Sequence, residues 1–99
     1  MAVSAEYVAK IRRTVRRNGS TDVDEEVVEL IEECRADLIR LGILSTKATD
    51  EDDALILGVM KIFVRSRFGL SNPDAEKDQE NYKTKADELR KTASYTTEA

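Results

Sequence analysis

The sequence predicts an all-α fold, a small antiparallel four-helix bundle-like domain arranged around one buried central helix. Three observations carry that expectation. Between Ala54 and Val64 only Lys61 is charged, a run too long for a typical strand, with acids before it and Gly69 after it. The stretches 21–41 and 73–92 carry apolar residues three and four apart, the period of one helix face. Between these segments stand helix stops and restarts, and nowhere does the two-residue alternation of a half-buried strand appear.

Composition sets the outer bounds. A 99-residue chain supports one core and reads as one domain, 1–99. Sixteen basic and twenty acidic side chains leave a net charge of −4, which argues against wholesale nucleic-acid binding. The charge is segregated: residues 1–19 sum to +4, 20–53 to −9 and the rest to +1. A basic arm before an acidic segment suits pairing within the chain or between copies as readily as pairing with a foreign partner.

The first helix is expected over 5–17, capped by Ser4 and stopped by Asn18-Gly19, with Tyr7, Val8, Ile11 and Val15 as a narrow apolar stripe. Lys10, Arg12, Arg13, Arg16 and Arg17 fill much of its remaining circumference. Three readings of these cations stand: a solvated face pairing with acids of the next helix, a contact with another subunit, or contact with DNA phosphate. The second helix, 21–41, opens on Asp22, Asp24, Glu25 and Glu26, which suit the positive end of its dipole, and closes at Gly42. Val23, Val27, Leu30, Ile31, Cys34, Leu38 and Leu41 form its stripe, and Glu29, Glu32, Glu33, Arg35, Asp37 and Arg40 are read as its outer face.

Residues 43–49 connect to the central helix, with Ile43 and Leu44 folding back onto the core. That helix is expected over 50–68, with Thr49 or Asp50 as its cap and Gly69 closing it. Gly58 within it costs about 1 kcal/mol relative to Ala, and close approach of a neighbouring helix is the reason expected for it. Asn72 as cap and Pro73 at the first helical position restart the chain into a helix over 73–92. Its stripe of Ala75, Tyr82, Ala86, Leu89 and Ala93 is thin, so it should lie on the outside, and residues 93–99 read as a mobile tail.

Little chemistry can be assembled from these residues. There is no His, and the one cysteine, Cys34, falls on an apolar stripe, so it reads as a core thiol in a reducing compartment. Asp50, Glu51, Asp52 and Asp53 are consecutive where cation loops space their ligands, and they sit where a helix start wants acids. No Gly-rich phosphate loop is present, and carboxylates on amphipathic helices face outward. The sequence therefore reads as a protein without catalytic, cofactor or metal residues. A helix-turn-helix is disfavoured because the apolar helix occupies the recognition position. The cations of 10–17 fall where a signal peptide needs its apolar stretch, and no run is long enough to cross a bilayer, so a soluble intracellular product is expected.

Beyond this, the order of segments resembles a known family. The run Asp22-x-Asp24-Glu25-Glu26-Val-Val-x-Leu30-Ile31, then Asp37-Leu38-x-x-x-Gly42-Ile43, Asp52-Asp53-x-Leu55-Ile56, and Phe63-Val64-x-x-x-Phe68-Gly69-x-x-Asn72-Pro73-Asp74-Ala75-Glu76 ahead of Tyr82 looks like the small head–tail connector, head-completion or adaptor proteins of long-tailed bacteriophages and prophages. The similarity spans roughly residues 8–90, carried by order and spacing more than by any one motif. Ala54 stands where members often have Pro, and Phe63 stands where they have Tyr.

The resemblance implies a structural, non-catalytic virion protein made in the bacterial host cytoplasm and placed at the portal vertex. There it forms a ring of about twelve copies, extends the DNA channel and docks the next connector or tail protein. It implies a subunit interface or channel lining by Lys10, Arg12, Arg13, Arg16 and Arg17 with Glu29, Glu32 and Glu33, and portal docking by Tyr95, Thr96, Thr97 and Glu98. Transient unspecific contact with passing DNA fits the same cations. The alternatives are a small helical regulator that binds another protein and a weak DNA-binding module.

Overall fold

A computed structural model describes residues 3–13, 21–67 and 75–97, with the backbone alone for 21–24. The fold is all-α: α1 (Ala5–Arg12), α2 (Thr21–Arg40), α3 (Ser45–Ala48), α4 (Ala54–Arg67), α5 (Ala75–Arg90) and α6 (Ala93–Thr96), with no strand among the described residues. Four long helices are present as expected, except that the central one begins at Ala54 and not at 50, since 50–53 form a turn, and α3 and α6 are single turns added between and after them. Val15, Arg16 and Arg17, the Asn18-Gly19 stop, Phe68, Gly69, Asn72 and Pro73 lie outside the described residues.

Local chemistry explains the ends. Ser4 caps α1 by accepting the Tyr7 amide at its hydroxyl, 3.2 Å away. At the end of α2, Gly42 adopts φ 106°. The Gly42 amide then reaches the Ile39 carbonyl and the Ile43 amide reaches that of Leu38, each at 3.0 Å, the paired bonds of a Schellman closure. That turn delivers Ile43 into the core. The cap of α4 is not Thr49 or Asp50 but Asp53, whose Oδ1 accepts the amides of Leu55 and Ile56 at 2.9 and 3.0 Å. Thr49 is spent instead on α3, donating its hydroxyl to the Ser45 carbonyl, and Asp50 accepts the Asp52 amide. Several oxygens in a row could cap, and the turn geometry selects one.

From Ile56 to Val64 no residue of α4 is exposed, and Ile56, Val59, Met60, Phe63 and Val64 are buried outright. A helix apolar nearly all round requires cover on several sides. Ile11 and Tyr7 of α1, Val27, Ile31, Cys34 and Leu38 of α2, and Tyr82, Ala86 and Leu89 of α5 join it in one core. Each fully buried aliphatic side chain contributes about 1.5–3 kcal/mol from the water it leaves. The rings of Phe63 and Tyr82 meet edge-on, 4.9 Å apart.

Ion pairs and one hydrogen-bonded tyrosine fix the arrangement. Arg65 near the end of α4 meets Asp78 near the start of α5, and Tyr95 after α5 meets Asp53 before α4, so the two helices are antiparallel and joined at both ends. Glu33 of α2 binds Arg67 at one end of α4, whereas Arg35 binds Glu51 just before the other. Neighbouring positions of α2 thus reach opposite ends of α4, and α2 runs across it. Gly58 has no atom within 4 Å of where a β-carbon would stand, so close helix approach is not its reason.

Candidate interaction surfaces

The charged side chains of α1 and α2 divide between surface and interior. Lys10 and Arg13 are exposed, and Arg12 is half-buried. Glu25, Glu26, Glu29 and Glu32 are exposed on α2; Glu33 is exposed too but holds the Arg67 guanidinium at 2.8 Å.

Arg35, read from the sequence as outward-facing, is 5 % exposed. It binds Glu51 at 3.2 Å and lies over the Tyr7 ring, 5.8 Å from its centre. Glu51 also accepts the Ser4 amide at 3.0 Å and the Ser4 hydroxyl. Burial raises the Glu51 carboxyl, but these bonds from Ser4 and then Arg35 outweigh it and hold the group below its usual range. The spacing of Val27, Ile31 and Arg35, four apart, already puts Arg35 at the edge of the apolar stripe.

Asp78 was missed in the same way. It is 4 % exposed and accepts both nitrogens of the Arg65 fork at 2.9 Å. It stands four residues before Tyr82 and eight before Ala86, on the stripe that faces α4. Asp37, also expected outside, is half-buried and accepts the Tyr82 hydroxyl at 2.6 Å and the Arg40 guanidinium at 2.8 Å. Cys34 is buried as expected, 4.0 Å from the Tyr82 oxygen, and burial first of all pushes its thiol up to about 12.

The tail differs from its expectation. Residues 93–96 form α6, and Tyr95 ties it down: its carbonyl accepts the Leu44 amide at 2.8 Å, and its hydroxyl donates to the Asp53 carboxylate at 2.9 Å. Lys47 sits 5.9 Å from the centre of its ring. Thr97 follows exposed, Thr96 bonds back to the Thr92 carbonyl, and Glu98 lies outside the described residues. Sequence pattern missed α6 because a single turn shows no periodicity and its anchor lies forty-odd residues away.

Among the described residues, two of the surface grooves stand out. The larger, about 1060 Å³, has Leu30, Phe63, Tyr82 and Ala86 in its wall, and its acids are already matched by cations: Glu33 by Arg67, Asp37 by Arg40, Asp87 by Arg90. The second, about 540 Å³, lies between α1 and α2. Val3, Ala5, Val8, Ala9 and Val28 make it apolar, with Arg12 on one rim and Glu25 and Glu29 on the other. Among the described residues no group of three or more acids or Cys is placed to hold a metal ion, and no helix is long and apolar enough to cross a membrane.

Fold and surface together define a small all-α domain whose conspicuous features are faces, charged and apolar, on α1 and α2. Compared with known proteins, the chain matches no family model, no curated protein and no solved structure.

Proposed function

We propose that this chain is a head–tail connector: a structural protein that forms a ring beneath a phage portal, extends the DNA channel and docks the next connector or tail component. The order and spacing of its segments suggest the family, and one structural observation supports assembly in particular. Lys10 of α1, Arg13 at its C-terminal cap, and Glu25, Glu26, Glu29 and Glu32 of α2 all point to solvent, opposite signs on two different elements. Head-to-tail association brings unlike patches of successive copies together, and it closes into a ring when the rotation closes. On this reading the acids at 29 and 32 receive the cations of the next copy, Glu33 serves Arg67 within its own chain, and the α6 end is offered to the portal.

The test is the mass of the purified protein by light scattering across concentration, alone and with the portal protein encoded beside it. A species of about twelve copies, or saturable ring-like decoration of the portal, is the expected result. A mass of one or two chains that ignores the portal at high concentration overturns it in favour of a helical regulator. Salt-sensitive binding to duplex DNA with no assembly overturns it in favour of a DNA-binding module.

A further inference from the structure

We infer that the outward face of α4 pairs with the same face of a second copy, antiparallel across a two-fold axis, with Gly58 of both chains at the centre. The pairing is independent of the ring reading: an isologous contact closes on two copies and leaves the charges of α1 and α2 free. Ile56, Met60 and Phe63 turn α4 toward the core it shares with α1, α2 and α5. At about 100° per residue the opposite side falls on Ala54, Leu55, Gly58, Lys61 and Ile62. Leu55, at 60 %, is the most exposed large hydrophobic among the described residues, and Gly58, Lys61 and Ile62 are half-buried. A lone surface leucine needs no explanation. Here it shares one face with Ile62, and between them Gly58 has no atom within 4 Å of where a β-carbon would stand, so a second helix can approach the backbone closely.

Charge selects a second copy as the occupant and sets its direction. The exposed Asp52 stands just before the helix, and Lys61 lies further along the same face. Among the described residues no ion pair within the chain occupies either of them. The face is therefore acidic at one end, basic at the other and apolar between, so it complements itself when one copy is turned end for end. Lys61 of each copy then lies over Asp52 of the other, and Leu55 of each meets Ile62 of the other on either side of the two glycines. A parallel copy would set like charges together. The antiparallel direction also brings the positive end of each helix dipole to the negative end of the other. An apolar centre with charges at its edge is the division found at specific interfaces.

The test uses the full chain carrying Lys10→Glu and Arg13→Glu, which removes the proposed ring contact, and reads mass by sedimentation without portal. A two-chain species that dissociates on dilution is expected. Adding Leu55→Asp should weaken pairing about 100-fold or more, since each pair buries two leucines. Gly58→Gln puts a helix former into open space, so thermal melts should show a fold at least as stable while pairing weakens comparably. Asp52→Lys and Lys61→Asp should each weaken pairing about 10-fold, and an equal mixture of the two should restore a discrete heterodimer, because every facing pair is again of opposite sign. A single-chain mass at millimolar concentration, a folded Gly58→Gln variant that pairs unchanged, or a charge mixture that does not pair overturns the inference. With Lys10 and Arg13 intact, portal decoration by a Leu55→Asp chain supports the connector reading whatever becomes of the pair, and its absence in a chain that still pairs refutes that reading alone.

Discussion

Tyr82 donates its hydroxyl hydrogen to Asp37 across 2.6 Å while its oxygen lies 4.0 Å from the Cys34 sulfur, and this contact fastens α5 to α2 over the top of α4. Burial, then the neighbouring Cys34 and Asp37, raise the tyrosine above its usual range, which keeps it a donor at neutral pH. Tyr82→Phe is expected to cost about 1.5–3 kcal/mol, since a bond to a charged acceptor is lost while the ring stays packed. Urea unfolding of the variant should show a lower midpoint with unchanged slope.

The same pair sets an acid dependence. Burial raises the Asp37 carboxyl, but the Tyr82 hydroxyl and Arg40 more than compensate, and it lies below its usual 3.8. A depressed folded value contributes stability above 3.8 that disappears as pH falls through the folded value. Glu51, also depressed, does the same from 4.5 downward. Stability should therefore fall as pH drops below about 4.5, and Tyr82→Phe should flatten the part of that fall due to Asp37. Unfolding free energies measured between neutral pH and strongly acid solution test both.

Arg65 holds a carboxylate that is nearly out of water. Arg65→Met leaves Asp78 buried without its fork and is expected to cost about 2–4 kcal/mol, toward the low side for a buried pair because the arginine is half-exposed. Adding Asp78→Leu should recover much of that loss. A double-mutant cycle by chemical denaturation reads the coupling.

Asp53 joins two structures with one carboxylate. Asp53→Ala removes the cap of α4 and the acceptor of Tyr95, at an expected cost of about 1–2 kcal/mol. Tyr95→Phe removes only the second and should leave global stability within about 1 kcal/mol. In both, the Leu44 amide, which donates to the Tyr95 carbonyl, should exchange with solvent faster than in the wild type.

Gly58 stands mid-helix with open space around its missing β-carbon. Gly58→Ala is expected to raise stability by about 0.5–1 kcal/mol, visible as a higher melting temperature.

Lys10 and Arg13 touch water in the single chain. Lys10→Glu with Arg13→Glu should therefore change monomer stability by no more than about 0.5 kcal/mol while abolishing ring formation. Assembly unchanged in that variant would remove the proposed role of these cations.

The helix pattern was legible because burial imposes it. The apolar run of α4, interrupted by charge only at Lys61 between Ala54 and Val64, the stripes of α2 and α5, the Ser4 cap and the Gly42 closure are each demanded by local backbone chemistry, and each can be read within one turn of its own position. The exposed acids and bases of α1 and α2 were legible for the same reason, since they occupy the faces the stripes leave over. What lay beyond reach were the partners. Arg35, Asp37 and Asp78 looked like solvent-facing charges until helices distant in sequence supplied Glu51, Tyr82 and Arg65. Tyr95 looked unpatterned until Leu44 and Asp53 met it. Periodicity records which side of a helix turns inward, a property of the segment itself. Which charges can afford burial depends on what the crossing of α2 over α4 brings opposite them, and only the packed chain decides that.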